Sequence, residues 1–60
     1  MEIKCFDITG MGWYLTKYKI YDVLEETEYS YIIKDDMGSI AKYSKSRFEI
    51  FGQFKKKSNF

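Results

Sequence analysis

Residues 29 to 51, YSYIIKDDMGSIAKYSKSRFEIF, most constrain what this chain can become, because two β-rich runs flank the turn Asp35-Asp36-Met37-Gly38. Asp suits the start of a type I turn, where its carboxylate accepts backbone N–H groups, and Gly supplies the positive φ needed next. A three-residue loop with Gly38 as a G1 bulge pairs Tyr31 with Tyr43 and Ile33 with Ala41 on one face. A two-residue loop would slip the register by one and set Ile40 opposite Ile33. Asp35 at the first turn position and Gly38 at the fourth favour the bulge. Ile32 and Ile40 then point away from the interior, where they offer a route to pairing two copies of the chain.

With 60 residues the chain makes one domain, close to the smallest size at which a core holds without disulfides or metal. Its 12 aromatic residues are the main apolar reserve, so most are expected in the core. The single cysteine, Cys5, has no partner for an internal disulfide, and a reducing cytoplasm is the expected setting. No charged start followed by a long apolar run marks a signal peptide, and no apolar stretch approaches the ~20 residues of a membrane span. With no histidine and one cysteine, an intrachain zinc or iron–sulfur site is not expected, and no cofactor is. The net charge of +1 hides a split: residues 1–41 carry four Lys against eight acids, and residues 42–60 six Lys or Arg against one Glu. Folding the two halves together neutralises it; keeping them apart makes a basic contact face.

Along the chain, residues 2 to 8 alternate Ile3 and Cys5 with Glu2 and Lys4, as a first strand exposed on one side would. In the loop TGMG, Gly10 and Gly12 bracket Met11 and are expected to drop Trp13 and Tyr14 onto the core. Neither a Walker A spacing nor a third dinucleotide-loop glycine is present. Residues 18 to 25 read as strand two, although Leu15, Tyr18, Tyr21 and Val23 or Leu24 also approach a helical period. EETE, residues 25–28, makes a polar turn, and strand three covers residues 29–34. Strand four runs from Ser39 to Tyr43. Ser44 to Arg47 form a single helical turn capped by the first serine, and a fifth strand follows at Phe48 to Phe51. These elements predict an all-β fold: a small five-stranded barrel over residues 1–52, with a basic tail, docked or disordered, at 53–60.

Five short strands with a turn before the last describe an SH3-like barrel. The run Tyr14-Leu15-Thr16, then Lys19, Tyr21 and Val23, an acidic turn, Ile33-Lys34-Asp35-Asp36 with Gly38, Tyr43, and Lys45-Ser46-Arg47-Phe48-Glu49 resembles small uncharacterised SH3-like proteins of bacteriophages and prophages of Gram-positive bacteria. The likeness covers roughly residues 1 to 50. It implies an SH3-like fold and a cytosolic, phage-linked origin in the host cell, and brings no activity with it. Where such proteins often have Gly before the Lys, this chain has Tyr18, a departure that argues against a tight bend there.

For chemistry, Asp35 with Asp36 and the trio Glu25, Glu26 and Glu28 are the acidic clusters, but they lack EF-hand spacing and a histidine partner, so turn-making is their expected role. Ser44, Ser46 and Cys5 have no base to activate them, and a barrel this small encloses no ordinary substrate pocket, so the chain is not expected to be an enzyme. Lys42, Lys45, Arg47 and Lys55, Lys56 and Lys57, interleaved with Tyr43, Phe48, Phe51 and Phe54, would suit a single-stranded nucleic acid. The pI near 7.8 falls short of the usual basic footprint. Non-catalytic protein binding is the leading expectation, as for a phage accessory protein docking on a host or defence protein. Its surface would be a rim of Trp13, Tyr14, Lys45, Arg47, Phe51 and Phe54. A proline-peptide groove is disfavoured by the missing Trp-Trp pair.

Overall fold

A computed structural model describes residues 1–51, and the tail expected at 53–60, with Phe54 and Lys55, Lys56 and Lys57, lies outside the described residues. The chain folds as β1 (Glu2–Cys5), β2 (Ile20–Asp22), β3 (Glu25–Glu26), β4 (Ser30–Lys34), β5 (Ile40–Ser44), a single 3₁₀ turn (Lys45–Arg47) and β6 (Phe48–Phe51). Two antiparallel three-stranded sheets result, ordered β2-β1-β6 and β3-β4-β5, and they do not close into a barrel.

The six strands replace the five expected because the segment read as strand two divides, and Glu25 and Glu26, expected to open a polar turn over residues 25–28, form a strand of their own. Asp22 pairs with Glu2 in the first sheet, whereas Glu25 pairs with Ile32 in the second. Between them the Val23 N–H donates to the Met1 carbonyl at 2.9 Å and the Leu24 N–H to the Ile32 carbonyl at 2.8 Å. The chain therefore changes sheets at a single peptide unit. The helical period through Leu15 and Tyr18 is not realised, since Tyr21 is needed opposite Ile3. The first strand also stops earlier than the expected residue 8. Phe6 and Asp7 both donate to the Arg47 carbonyl, at 2.8 and 3.2 Å, and two residues facing one make a bulge that ends regular pairing.

The hairpin of β4 and β5 has the bulged register: Tyr31 faces Tyr43, Ile33 faces Ala41, and Gly38 takes φ +85°. Ile40 is 64 % exposed, as that register requires. Ser44 caps the 3₁₀ turn by accepting the Ser46 N–H at 3.3 Å.

The core lies between the sheets and consists of Ile3, Cys5, Leu15, Tyr21, Tyr31, Ile33, Tyr43 and Phe48. Tyr21 and Tyr31 each meet Phe48 edge to face, at ring distances of 6.3 and 5.9 Å. Of the ten aromatics among the described residues, four are thus buried; Phe6, Trp13, Tyr14, Tyr18, Tyr29 and Phe51 are exposed. The expectation that most aromatics form the core is overturned. Short strands present few inward positions, and aliphatic residues hold several of them.

Candidate binding surfaces

The two turn aspartates act within the fold. Asp35 accepts the Tyr43 hydroxyl at 2.7 Å and the Met37 and Ser39 N–H groups at 3.0 Å each. Asp36 accepts the Thr16 hydroxyl at 2.6 Å, the Lys19 ammonium at 2.8 Å and the Tyr21 hydroxyl at 2.9 Å. Its own N–H donates to the Tyr14 carbonyl at 2.8 Å, so this residue ties the loop of residues 14–21 to the hairpin turn. All four carboxylate oxygens accept at least one hydrogen bond within the fold. Among the described residues no cluster of His, Cys, Asp or Glu suits a metal ion.

These bonds give stability a two-sided pH dependence. The Tyr43 hydroxyl holds the Asp35 carboxyl below its ordinary 3.8. Burial alone would raise Asp36, but bonds from Lys19, Thr16 and Tyr21 outweigh it and lower that carboxyl too. A depressed carboxyl adds stability that is complete above 3.8 and is lost as pH falls through the folded-state value. Burial, reinforced by the bond to Asp35, pushes Tyr43 well above its ordinary 10.0, and burial also raises Tyr21. A raised phenol adds stability that is complete below 10.0 and is lost as pH rises above it. Urea midpoints should therefore form a plateau across neutral pH with falls on both sides, and Tyr43→Phe should flatten the alkaline fall. A midpoint that stays level from about pH 7 to 11 in the parent chain would refute the tyrosine assignment.

The rim expected from Trp13, Tyr14, Lys45, Arg47 and Phe51 is not one surface. Tyr14 lies at the turn end of the hairpin, held by Asp36. Lys45 follows the far end of β5, five residues on and roughly 17 Å away at ~3.3 Å per residue. There its ammonium is 2.6 Å from Glu26 and lies over the Tyr31 ring. Arg47 donates to the carbonyls of Asp7 and Thr9 at 3.0 Å each, staking the loop that follows β1. Both cations serve the fold. Trp13 does not drop onto the core: it is 82 % exposed, and Leu15, two residues later, takes the buried position. Backbone bonds from Tyr14 and Leu15 to the Met11 carbonyl, each 2.9 Å, make a compact turn that leaves the Trp13 side chain outside.

Phe51 belongs to a different surface, one that the rim did not include. On the outer side of β2-β1-β6, the Lys4 ammonium is 5.9 Å from the Phe6 ring centre and 5.8 Å from that of Phe51. Phe6 meets Tyr18 edge to face at 5.7 Å, and the Lys17 ammonium is 5.2 Å from the Tyr18 ring. Phe51, Lys4, Phe6, Tyr18 and Lys17 form a continuous row in which Lys4 lies between Phe51 and the Phe6–Tyr18 pair and Lys17 closes the far end. Alternation of Glu2, Lys4 and Phe6 carried a signal for half of it. Tyr18 carried none, because its place depends on a backbone bend.

That bend is real and contrary to expectation: Tyr18 has φ +71°, with its N–H donating to the Cys5 carbonyl at 2.6 Å. The left-handed region costs a non-glycine residue about 1–2 kcal/mol, and the chain bears this cost with the ring turned outward at 56 % exposure. The bend forms because the Lys19 carbonyl also accepts the Cys5 N–H at 3.0 Å, fixing residues 18 and 19 against β1.

No helix among the described residues is long and apolar enough to cross a membrane. No curated protein and no solved structure matches the chain. A family model does, over residues 3–51, which spans both sheets, the loop that carries Trp13 and the Tyr18 bend: the chain belongs to the family of unknown function DUF6501.

Proposed function

We propose that this chain is a non-catalytic, SH3-like protein-binding module that docks through the outer row of Phe6, Tyr18 and Phe51, flanked by Lys4 and Lys17, with Trp13 as a second exposed aromatic. The observation that carries the reading is the number of large aromatics left outside a core that a small domain needs. Aromatic side chains exposed together on a sheet face are typical anchors of protein contacts, where each contributes through burial in a partner's pocket. Tyr18 adds weight, since its exposed ring stands on a left-handed backbone where glycine is easier, and such strain clusters at functional sites.

Single-stranded nucleic acid is the competing ligand, as rings interleaved with lysines are its usual platform. Charge weighs against it. Glu2, Asp22 and Glu49 occupy outward positions of the same sheet, Glu2 opposite Phe51 and Glu49 opposite Lys4. Three acids beside two lysines repel a phosphate chain. The phage resemblance makes a host or anti-phage defence protein the class of partner.

The test uses Tyr18→Gly. Relief of the positive φ offsets the lost ring contacts and the added chain entropy, so the melting temperature should stay within the equivalent of about 1 kcal/mol. Tyr18→Val, which keeps a β-branched side chain in the strained bend, should destabilise instead. With its fold intact, the glycine variant should lose about 1–2 kcal/mol of affinity for proteins captured by the parent chain from nuclease-treated Gram-positive lysate. Undiminished capture by both Tyr18→Gly and Phe51→Ala would refute the row. Tight, salt-sensitive binding of a single-stranded oligonucleotide would move the function to nucleic acid.

A further inference from the structure

We infer that the open edge of β5 takes an additional strand from a partner protein, an extended segment with acidic residues on one face and apolar residues on the other. This deepens the protein-binding reading and rests on it. The edge follows from hydrogen-bond phase. Asp35 donates to Ser39 at 2.9 Å and Lys45 donates to Tyr29 at 2.9 Å, and both pairs lie in the register that sets Tyr31 opposite Tyr43. Hydrogen-bonded pairs in an antiparallel ladder recur at every second residue, so Ala41 and Tyr43 spend their backbone groups on β4. Ile32 and Ser30 point the other way and accept from Leu24 and Thr27, at 2.8 and 2.9 Å.

By the same phase, the N–H and C=O groups of Ile40 and Lys42 point away from β4. Among the described residues β5 has no strand paired on that side, since it ends the sheet order β3-β4-β5. Their side chains are exposed, as is that of Ser44. A row of such groups on a five-residue strand is a template for strand addition.

Charge names the occupant. The outward side chains of the hairpin form a checkerboard in which Lys42 lies across from Ile32 and Lys34 across from Ile40, and neither strand contains an acid. An incoming strand therefore meets ammonium groups on its outer face. On its inner face it meets Ala41 and the edge of Tyr43. A second copy of the chain carries no acid on this strand to meet Lys42, and symmetric pairing about Lys42 sets two ammonium groups directly opposite each other. A segment with Glu or Asp facing outward and Val or Ile facing inward satisfies both faces.

The experiment titrates ¹⁵N-labelled chain with a short acetylated, amidated peptide of alternating Val and Glu, and with its Val–Lys counterpart. The Val–Glu peptide should shift the amides of Ile40, Lys42 and Ser44, slow their hydrogen exchange, and bind at least about tenfold more tightly than Val–Lys, close to the tenfold that 1.4 kcal/mol represents. Lys42→Glu, an exposed substitution, should invert that preference. N-methylation of alternate peptide residues should abolish binding. Equal affinity for both peptides, or shifts confined to Phe6, Tyr18 and Phe51, would overturn the inference. So would a concentration-dependent dimer that protects the same amides, which would make the occupant a second copy. Should Tyr18→Gly lose partner capture while neither peptide binds, the edge fails and the aromatic row stands.

Discussion

Tyr43→Ala is expected to leave much of the population unfolded at room temperature, whereas Ile40→Ala, three residues away, should barely change the urea midpoint. The difference comes from which face of β5 each side chain occupies. Tyr43 is 8 % exposed in the core, and its hydroxyl donates to Asp35 at 2.7 Å. Truncating a buried aromatic costs about 3–5 kcal/mol, as much as a core of this size supplies net. Ile40 is 64 % exposed and leaves no cavity when shortened. Tyr31→Ala should behave like Tyr43→Ala, for Tyr31 packs opposite it and against Phe48. Tyr43→Phe isolates the hydroxyl and should cost about 1.5–3 kcal/mol, the range for a hydrogen bond to a charged group. Denaturant unfolding followed by tyrosine fluorescence reads all four. If Ile40→Ala proved the most damaging in a monomeric chain, the register of the hairpin would be wrong.

The hairpin was legible in the sequence because its determinants are local. Asp35 and Gly38 are three residues apart, and the turn they make sets the register of ten strand residues in β4 and β5. The Ser44 cap and the last strand were legible for the same reason. What stayed hidden depends on partners remote in sequence. The change of sheet at Val23 and Leu24 is decided by the carbonyls of Met1 and Ile32, and nothing in residues 18–25 records them. Asp36 could be recognised as a turn residue, but not as the acceptor that collects Thr16, Lys19 and Tyr21.

The candidate surface was harder still. A phenylalanine or tyrosine carries no mark of which face it will occupy, and twelve aromatics in a small chain argue for burial on energetic grounds. Phe51 was grouped with Lys45 and Arg47, whereas the fold sets Lys4 beside it, and Lys45 and Arg47 are engaged by Glu26 and by the carbonyls of Asp7 and Thr9. Its neighbours Phe6 and Tyr18 come to it through the pairing of β1 with β6 and through the bend at Tyr18, which the residue type itself opposed.

Gly38→Val should destabilise the chain by about 1–3 kcal/mol, and the cause should be backbone conformation, not crowding. Gly38 has φ +85°, where a β-branched side chain is strained, yet a Cβ built there meets nothing within 4 Å. Its N–H donates to the Asp35 carbonyl at 3.0 Å, and that bond together with the Asp35 side chain holds the loop in its three-residue form. Val must either adopt the strained φ or push the turn toward the alternative loop. The second course would slip the register and bring Ile40 inward in place of Ala41, exposing the buried faces of Tyr31 and Tyr43. Strain is the smaller loss, so the variant should keep its fold with a lower melting temperature. Gly38→Asn separates conformation from volume: asparagine is larger than glycine but tolerates the left-handed region, and with open space around the site it should lose much less than Val. Equal losses for Val and Asn would point to crowding and refute the conformational account, and an unchanged melting temperature for Gly38→Val would refute the bulged turn itself.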